Sequence, residues 1–325
     1  MKPKLLVVEL WGLGDLVIAT SFLRAASERY EVTLLAKPYA RELQARLWPD
    51  VRVMTFVAPW TAFEGKYRLW RWPWREMWQL WRRLRPEQFE AGASARWGDP
   101  RDHFWLWITG AQRRLGFPRL GSQCFLTQPL TRPALTAHRY EYWRTLGTAL
   151  DLPMPAREAI PFPPRRPANT VLVHSGAGRP VRVWPLERYL GIVQRLRNAG
   201  RRVLVACDPA QTEWWHRAGE TGVATPRTVN ELLALIDQAG VFVGNDSGPG
   251  HLAAFCGVPT FTIFGPQLPE WFAPLHPQSE CVEGKACPFK PCSDYCRFAI
   301  PRCLELISEE AIHQPLEAFL RRCEG

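Results

Sequence analysis

The sequence predicts an α/β protein made of two doubly wound domains, each a parallel sheet with crossover helices. Three observations carry that expectation. Short apolar runs alternate with segments of helical periodicity in both halves of the chain. The 325 residues exceed what a single core ordinarily supports. A proline-dense stretch holding Pro153, Pro155, Pro161, Pro163, Pro164 and Pro167 separates the two series, and such a stretch extends neither helix nor central strand. We therefore expect a first domain over 1–155, a linker over 156–168, a second domain over 169–307 with a cysteine-rich loop at 281–303, and a terminal segment over 308–325 that packs back on the first domain.

The elements follow in order. In the first half, strand 4–10 leads to a helix opening near Asp15 and reaching Tyr30, then strand 32–36 and a helix over 41–47. Beyond that the chain reads as irregular and rich in tryptophan. The second half gives strand 170–174, helix 186–199, strand 202–207, a helix from about 210, helix 228–238, strand 241–244, helix 250–256 and strand 259–264. A last helix spans about 309–322.

The most informative segment joins strand 241–244 to its helix through Asn245-Asp246-Ser247-Gly248-Pro249-Gly250-His251. Gly248 and Gly250 let the backbone approach a ligand, and the first N–H groups of the helix lack internal partners, so the turn suits a phosphate or diphosphate. Asp246 and Ser247 as plain helix caps are the competing explanation. His251, in the first turn beside that aspartate, adds a donor for a phosphate or sugar oxygen.

This run and the strand after it, ending Phe264-Gly265-Pro266, resemble glycosyltransferase family 9, the heptosyltransferases of lipopolysaccharide assembly. Gly12-Leu13-Gly14-Asp15 with Thr20, the stretch Gly110-Ala111-Gln112-Arg113-Arg114-Leu115-Gly116-Phe117, His174-Ser175-Gly176-Ala177-Gly178, and Arg182-Val183-Trp184-Pro185 are similar to family segments in the same order. The resemblance implies the GT-B architecture, two facing Rossmann-like domains with a cleft between them, the acceptor held by the first and a nucleotide sugar by the second. It implies an inverting transfer that requires no cofactor, with Asp15 as the catalytic base and Arg182 on the diphosphate. His174, Ser175, Gly176, Gly178, Asp246, Ser247, Gly248, Gly250 and His251 would line the donor, with Glu213 reaching its ribose. For Asp15, simple stabilisation of a helix N-terminus is the competing role.

Departures from the family pattern leave the donor open. Thr20-Ser21 stands where Thr-Pro is usual, and Gln267-Leu268 replaces a hydroxyl and a carboxylate after Gly265-Pro266. ADP-heptose is the family's best-known donor, and a lipopolysaccharide core or related glycolipid its acceptor. Nucleotide-sugar epimerisation and non-catalytic nucleotide-sugar binding are the alternatives.

Composition bounds the partners. A formal charge of +10 suits acidic nucleotides, phosphorylated glycolipids and an anionic leaflet, while no helix-turn-helix, zinc-finger or single-strand-binding signature speaks for nucleic acid. No apolar run of about 20 residues is present, and Met1-Lys2-Pro3-Lys4 enters a strand directly, so a cytoplasmic location is expected, peripheral on the membrane's inner face. Trp74, Met77, Trp78 and Trp81 share one helical face, with Arg82 and Arg83 turned elsewhere. That stripe either covers the first sheet or lies at headgroup level, bringing the enzyme to its acceptor. Cys287, Cys292, Cys296 and Cys303 raise a structural zinc or iron–sulfur site, without the paired Cys-x2-Cys spacing that such sites favour. A cysteine-rich structural loop and a redox-sensitive disulfide compete with it.

Overall fold

The computed structural model describes residues 2–61, 68–96, 99–164, 169–292 and 295–324. Residues 165–168 of the expected linker and 293–294 of the cysteine-rich loop lie outside the described residues. The chain divides into two compact units, Met1–Arg157 and Glu158–Gly325.

The first unit runs β1 (Lys4–Glu9), α1 (Leu13–Ile18), α2 (Thr20–Arg29), β2 (Glu31–Ala36), α3 (Ala40–Leu47), β3 (Arg52–Thr55), α4 (Trp74–Leu84), β4 (Ala91–Ser94), α5 (Pro100–Ile108), β5 (Arg113–Gly116), β6 (Gln128–Pro129) and α6 (Arg139–Ala149). All six strands are parallel, in the order β3-β2-β1-β4-β5-β6. The order reverses direction between β1 and β4, and open sheets of this kind bind ligands beyond the carboxyl ends of the strands at that point. β1 has an apolar sequence because both its faces are covered: from Leu5 to Glu9 every residue is buried.

The irregular stretch expected after residue 47 in fact supplies four strands, β3 to β6. They are short, and β4 reads Ala-Gly-Ala-Ser, with none of the branched residues that mark a strand. Packing explains the small residues: a Cβ on Gly92 would stand 3.0 Å from Leu106 Cδ2 and 3.1 Å from Ala111 Cβ, because α5 lies directly on this strand. The single helix expected over 15–30 is two helices, joined at Ala19.

α4 rotates away from its expected stripe. Leu80 and Leu84 are buried, and Met77 and Trp81 pack against the core of Leu6, Val8, Phe56, Trp60 and Trp105. Trp74 and Trp78 remain 53% and 55% exposed. Leu80 and Leu84 take the buried side instead, so the predicted stripe is shared between core and solvent.

The second unit runs β7 (Thr170–His174), α7 (Leu186–Asn198), β8 (Arg202–Ala206), α8 (Thr212–Arg217), α9 (Val229–Ile236), β9 (Val241–Asn245), α10 (Gly248–Phe255), β10 (Thr260–Phe264), α11 (Pro269–Phe272), β11 (Glu280–Glu283), α12 (Arg302–Glu305) and α13 (Glu309–Glu324). Its five parallel strands follow the order β11-β10-β9-β7-β8, which reverses between β7 and β9. The terminal helix corrects an expectation. α13 packs on α7 and sends Ile312, Leu316, Phe319, Leu320 and Cys323 into this unit's own core, where its apolar face finds Val193, Leu196 and Phe261.

Candidate functional site

Each unit gathers chemistry-bearing residues at the point where its strand order reverses. In the second unit, β7 and β9 lie side by side with His174 opposite Gly244. A Cβ on Gly244 would meet the His174 carbonyl at 2.8 Å, so a residue without a side chain lets these strand ends lie together. Two turns leave from here: 175–178 after β7 and 246–247 after β9.

Asn245 ties them to a third segment. Its Nδ2 donates to the Ser175 carbonyl at 2.8 Å, and its Oδ1 accepts from the Trp184 N–H at 2.9 Å. Trp184 is wholly buried, with its indole donating to the Ile307 carbonyl, so the chain just before it is held firmly. Two residues earlier, Arg182 Nη1 lies 3.7 Å from Asp246 Oδ2. Asp246 is buried, and a carboxylate so placed orients the guanidinium rather than meeting an anion itself. The N-terminus of α10 carries no side-chain cap: the Ser247 hydroxyl donates to the Asn245 carbonyl at 3.2 Å, and Pro249 sits in the first turn. Plain capping is therefore not what Ser247 does here. Gly248, Gly250 and His251 form the first turn of α10, and His251 is buried.

Two sequence-predicted donor residues spend their polar side chains on other protein groups. The Ser175 hydroxyl accepts from the Trp215 indole at 3.0 Å and donates to Gln211 Oε1 at 2.9 Å, while its N–H donates to the Ala206 carbonyl. Both groups expected to face phosphate are spent on holding the turn. Glu213 lies on the exposed side of α8, paired with Arg217 at 2.5 Å. His174 is buried with its ring stacked on Phe242, and burial lowers its basicity against the opposing pull of Asp208. Gly176 and Gly178 flank Ala177, whose N–H donates to Asp208 Oδ2 at 2.8 Å. Asp208, Gln211 and Asn245, the residues that shape the turns, were not singled out from the sequence. Asn245 stands directly before the marked turn, which was the available signal.

In the first unit, Asp15 sits at the third position of α1, one oxygen accepting from the Gly12 N–H at 3.2 Å. The helix-start role is thus real, and it leaves the other oxygen 3.8 Å from Arg96 Nη1. A small pocket of about 20 Å³ is lined by Glu9, Asp15, Ile18, Ala95, Arg96, Arg139, Tyr142 and Trp143. Its walls come from the ends of β1 and β4 and the start of α6.

Sequence reasoning missed every titratable neighbour of Asp15. Glu9, buried at the end of β1, has its carboxyl held well above the usual range by desolvation first and then by the Asp15 charge. Burial lowers the Lys37 ammonium, with Asp15 and Glu9 pulling the other way, and brings Arg139 down to about 10. Burial and Asp99 push Asp102 up to about 6, against the indole hydrogen bond from Trp11. Strand order unites them: Lys37 follows β2, Arg96 follows β4, and these strands flank β1.

Among the described residues no group of three or more His, Cys, Asp or Glu side chains is placed to hold a metal ion. Cys303 is buried in the second unit's core, whereas Cys287, Cys292 and Cys296 are partly exposed. Burial raises the Cys292 thiol, and the neighbouring Cys296 and Cys287 raise it further. Among the described residues, no helix is long and apolar enough to cross a membrane.

Comparison with known proteins agrees with this architecture. The crystal structure of a family 9 glycosyl transferase from Veillonella parvula superposes with a TM-score of 0.80 at 16% identity, over 99% of this chain and 98% of that one. An E. coli heptosyltransferase solved with ADP gives 0.75 at 15% identity, over 97% and 99%. Lipopolysaccharide heptosyltransferase 3 of Escherichia coli strain K12 is 32% identical over 104 residues. That match covers 29% of this chain and spans only 30% of the relative. Residues 129–298 match the family described as glycosyltransferase family 9 (heptosyltransferase). With just over half its length inside that match, the chain belongs to glycosyltransferase family 9.

Proposed function

We propose that this protein is an inverting glycosyltransferase that moves a sugar, heptose from ADP-heptose as the first choice, onto a hydroxyl of a lipopolysaccharide core or related glycolipid. The observation that carries the reading is the pairing of chemistries at the two strand reversals. One holds a carboxylate in a pocket, and the other an oriented guanidinium beside an uncapped helix N-terminus. The names of the E. coli relative and of the ADP-containing structure support the donor and acceptor classes.

In this mechanism Asp15 takes the proton of the acceptor hydroxyl as its oxygen attacks the anomeric carbon. The bond from that carbon to the diphosphate breaks, and the departing charge is met by Arg182 and by N–H groups from the first turn of α10. Asp246 holds Arg182 in place and Asn245 holds both turns. These groups supply the charge stabilisation, so no metal is assigned a step. The exposed Trp74 and Trp78, with Arg75, Arg82 and Arg83 on the same helix, fit an anionic membrane surface that presents the glycolipid.

The test is release of nucleoside diphosphate from ADP-heptose, and in parallel from UDP- and GDP-sugars, with lipopolysaccharide core acceptors. We expect acceptor-dependent release that Asp15→Ala abolishes while donor binding persists. Donor that binds without release in any combination would instead indicate an epimerase or a binding protein.

A further inference from the structure

Asp102, on α5, is wholly buried in the first unit, and two indoles hold it. Trp11 Nε1 donates to Oδ2 and Trp60 Nε1 to Oδ1, each at 3.2 Å. A buried carboxylate is costly and is tolerated only where donors saturate it. The two arms of this clamp lead to different places. The Trp60 ring carries Arg101 at 5.6 Å, and Arg101 pairs with Asp99. Trp11 stands immediately before Gly12, in the turn that enters the Asp15 helix. Its backbone is secured on both sides: the N–H donates to Glu9 Oε1 at 3.1 Å, and the carbonyl accepts from the Tyr39 hydroxyl at 2.8 Å. With backbone and indole both pinned, the ring is a fixed platform. On it lies the Arg96 guanidinium, 3.7 Å from the ring centroid, with Nη1 3.8 Å from the free oxygen of Asp15.

We propose that Asp102 is a positioning residue of the acceptor site: through the Trp11 indole it sets the platform that holds Arg96 against Asp15. This rests on the glycosyl-transfer reading above. An arginine has many rotamers, and a carboxylate it pairs with is only as well oriented as the guanidinium is. Stacking on an aromatic face removes that freedom while leaving the N–H fork directed at the carboxylate.

The experiment compares full-length wild type with Asp102→Asn, Trp11→Phe, Trp60→Phe, Arg96→Gln and the double variant Asp102→Asn/Arg96→Gln. Steady-state kinetics and thermal melts are recorded for each. Trp11→Phe keeps a ring beneath Arg96 but removes the donor to Asp102; Trp60→Phe removes the other donor and serves as the structural control. We expect Asp102→Asn and Trp11→Phe to lower kcat about tenfold with donor KM unchanged. Trp60→Phe is expected to cost comparable stability with kcat retained. In the double variant, kcat should match Arg96→Gln alone, because a residue acting through another adds nothing once that other is gone. Additive losses, or equal kcat losses in Trp60→Phe and Trp11→Phe, would overturn the proposal and leave Asp102 a purely structural residue. A second arm does not depend on turnover. The indole N–H resonances of Trp11 and Trp60, assigned by their absence in the Phe variants, should both shift in Asp102→Asn, and that of Trp11 alone in Arg96→Gln. If wild type transfers no sugar from any donor, the transfer reading falls and the catalytic role with it, while these resonances still decide whether Asp102, Trp11 and Arg96 are linked. An unmoved Trp11 resonance in Arg96→Gln would refute the linkage itself.

Discussion

Asn245 shows how much one buried carboxamide can organise. It bonds the turn after β7 and the backbone of Trp184, so Asn245→Ala strands the buried Trp184 N–H and takes from the Ser175 carbonyl the shorter of its two hydrogen bonds, leaving the one from Gln211. We expect a loss of about 2 to 4 kcal/mol in urea unfolding. Affinity for nucleoside diphosphate, measured by calorimetry, should fall roughly tenfold, the order that one charge-assisted contact contributes. Asp102 makes a different prediction. Its carboxyl, raised from 3.8 to about 6, binds a proton more tightly folded than unfolded. Stability from this group is therefore full below its unfolded pKa and lost as pH rises through about 6. Between pH 5 and 7 the unfolding free energy of wild type should drop about 1 kcal/mol more than that of Asp102→Asn. Parallel curves would show that burial does not act on Asp102 in this way.

Among the elements, α4 divides its residues between two duties. Leu80 and Leu84 are buried, and Leu84→Ala should cost about 2 to 4 kcal/mol by leaving a cavity under the helix. Trp74 and Trp78 are more than half exposed, and replacing both with Ala should change stability by less than about 0.5 kcal/mol per site. The same double variant should lose flotation with vesicles containing anionic lipid. Undiminished flotation would remove α4 as the membrane contact. β4 makes the complementary point: its Ala-Gly-Ala-Ser sequence has weak strand propensity, yet β1 and β5 pair with it on both sides. Tertiary pairing, with α5 pressed onto Gly92, overrides local preference.

At the scale of the whole chain, each unit has its own core. α13 belongs to the second, contributing Ile312, Leu316 and Phe319 among its buried residues. Leu316→Ala should therefore lower the thermal transition that added nucleoside diphosphate raises, by the mass-action stabilisation of the folded form, and spare a transition that nucleotide leaves unmoved. Movement of both transitions together would mean that the units melt as one.

What the sequence determined by itself is the regular part of this picture. Strands of apolar residues buried on both faces, glycine turns at their carboxyl ends, and the segments around Asp15, Arg182 and 246–251 are local patterns, legible because each is set by residues adjacent in the chain. The strands β3 to β6, the rotation of α4 and the destination of α13 are decided by what packs on them, which no window of sequence contains. The same holds for the sites. Ser175 reads as a phosphate ligand until Trp215, forty residues later, claims its hydroxyl. Asp102 and Arg96 read as unremarked charges until strand order sets β4 beside β1 and brings them to Trp11 and Asp15. Hydrogen bonds and ion pairs depend on distances of a few ångströms, and between residues far apart in sequence only the folded sheet determines those distances.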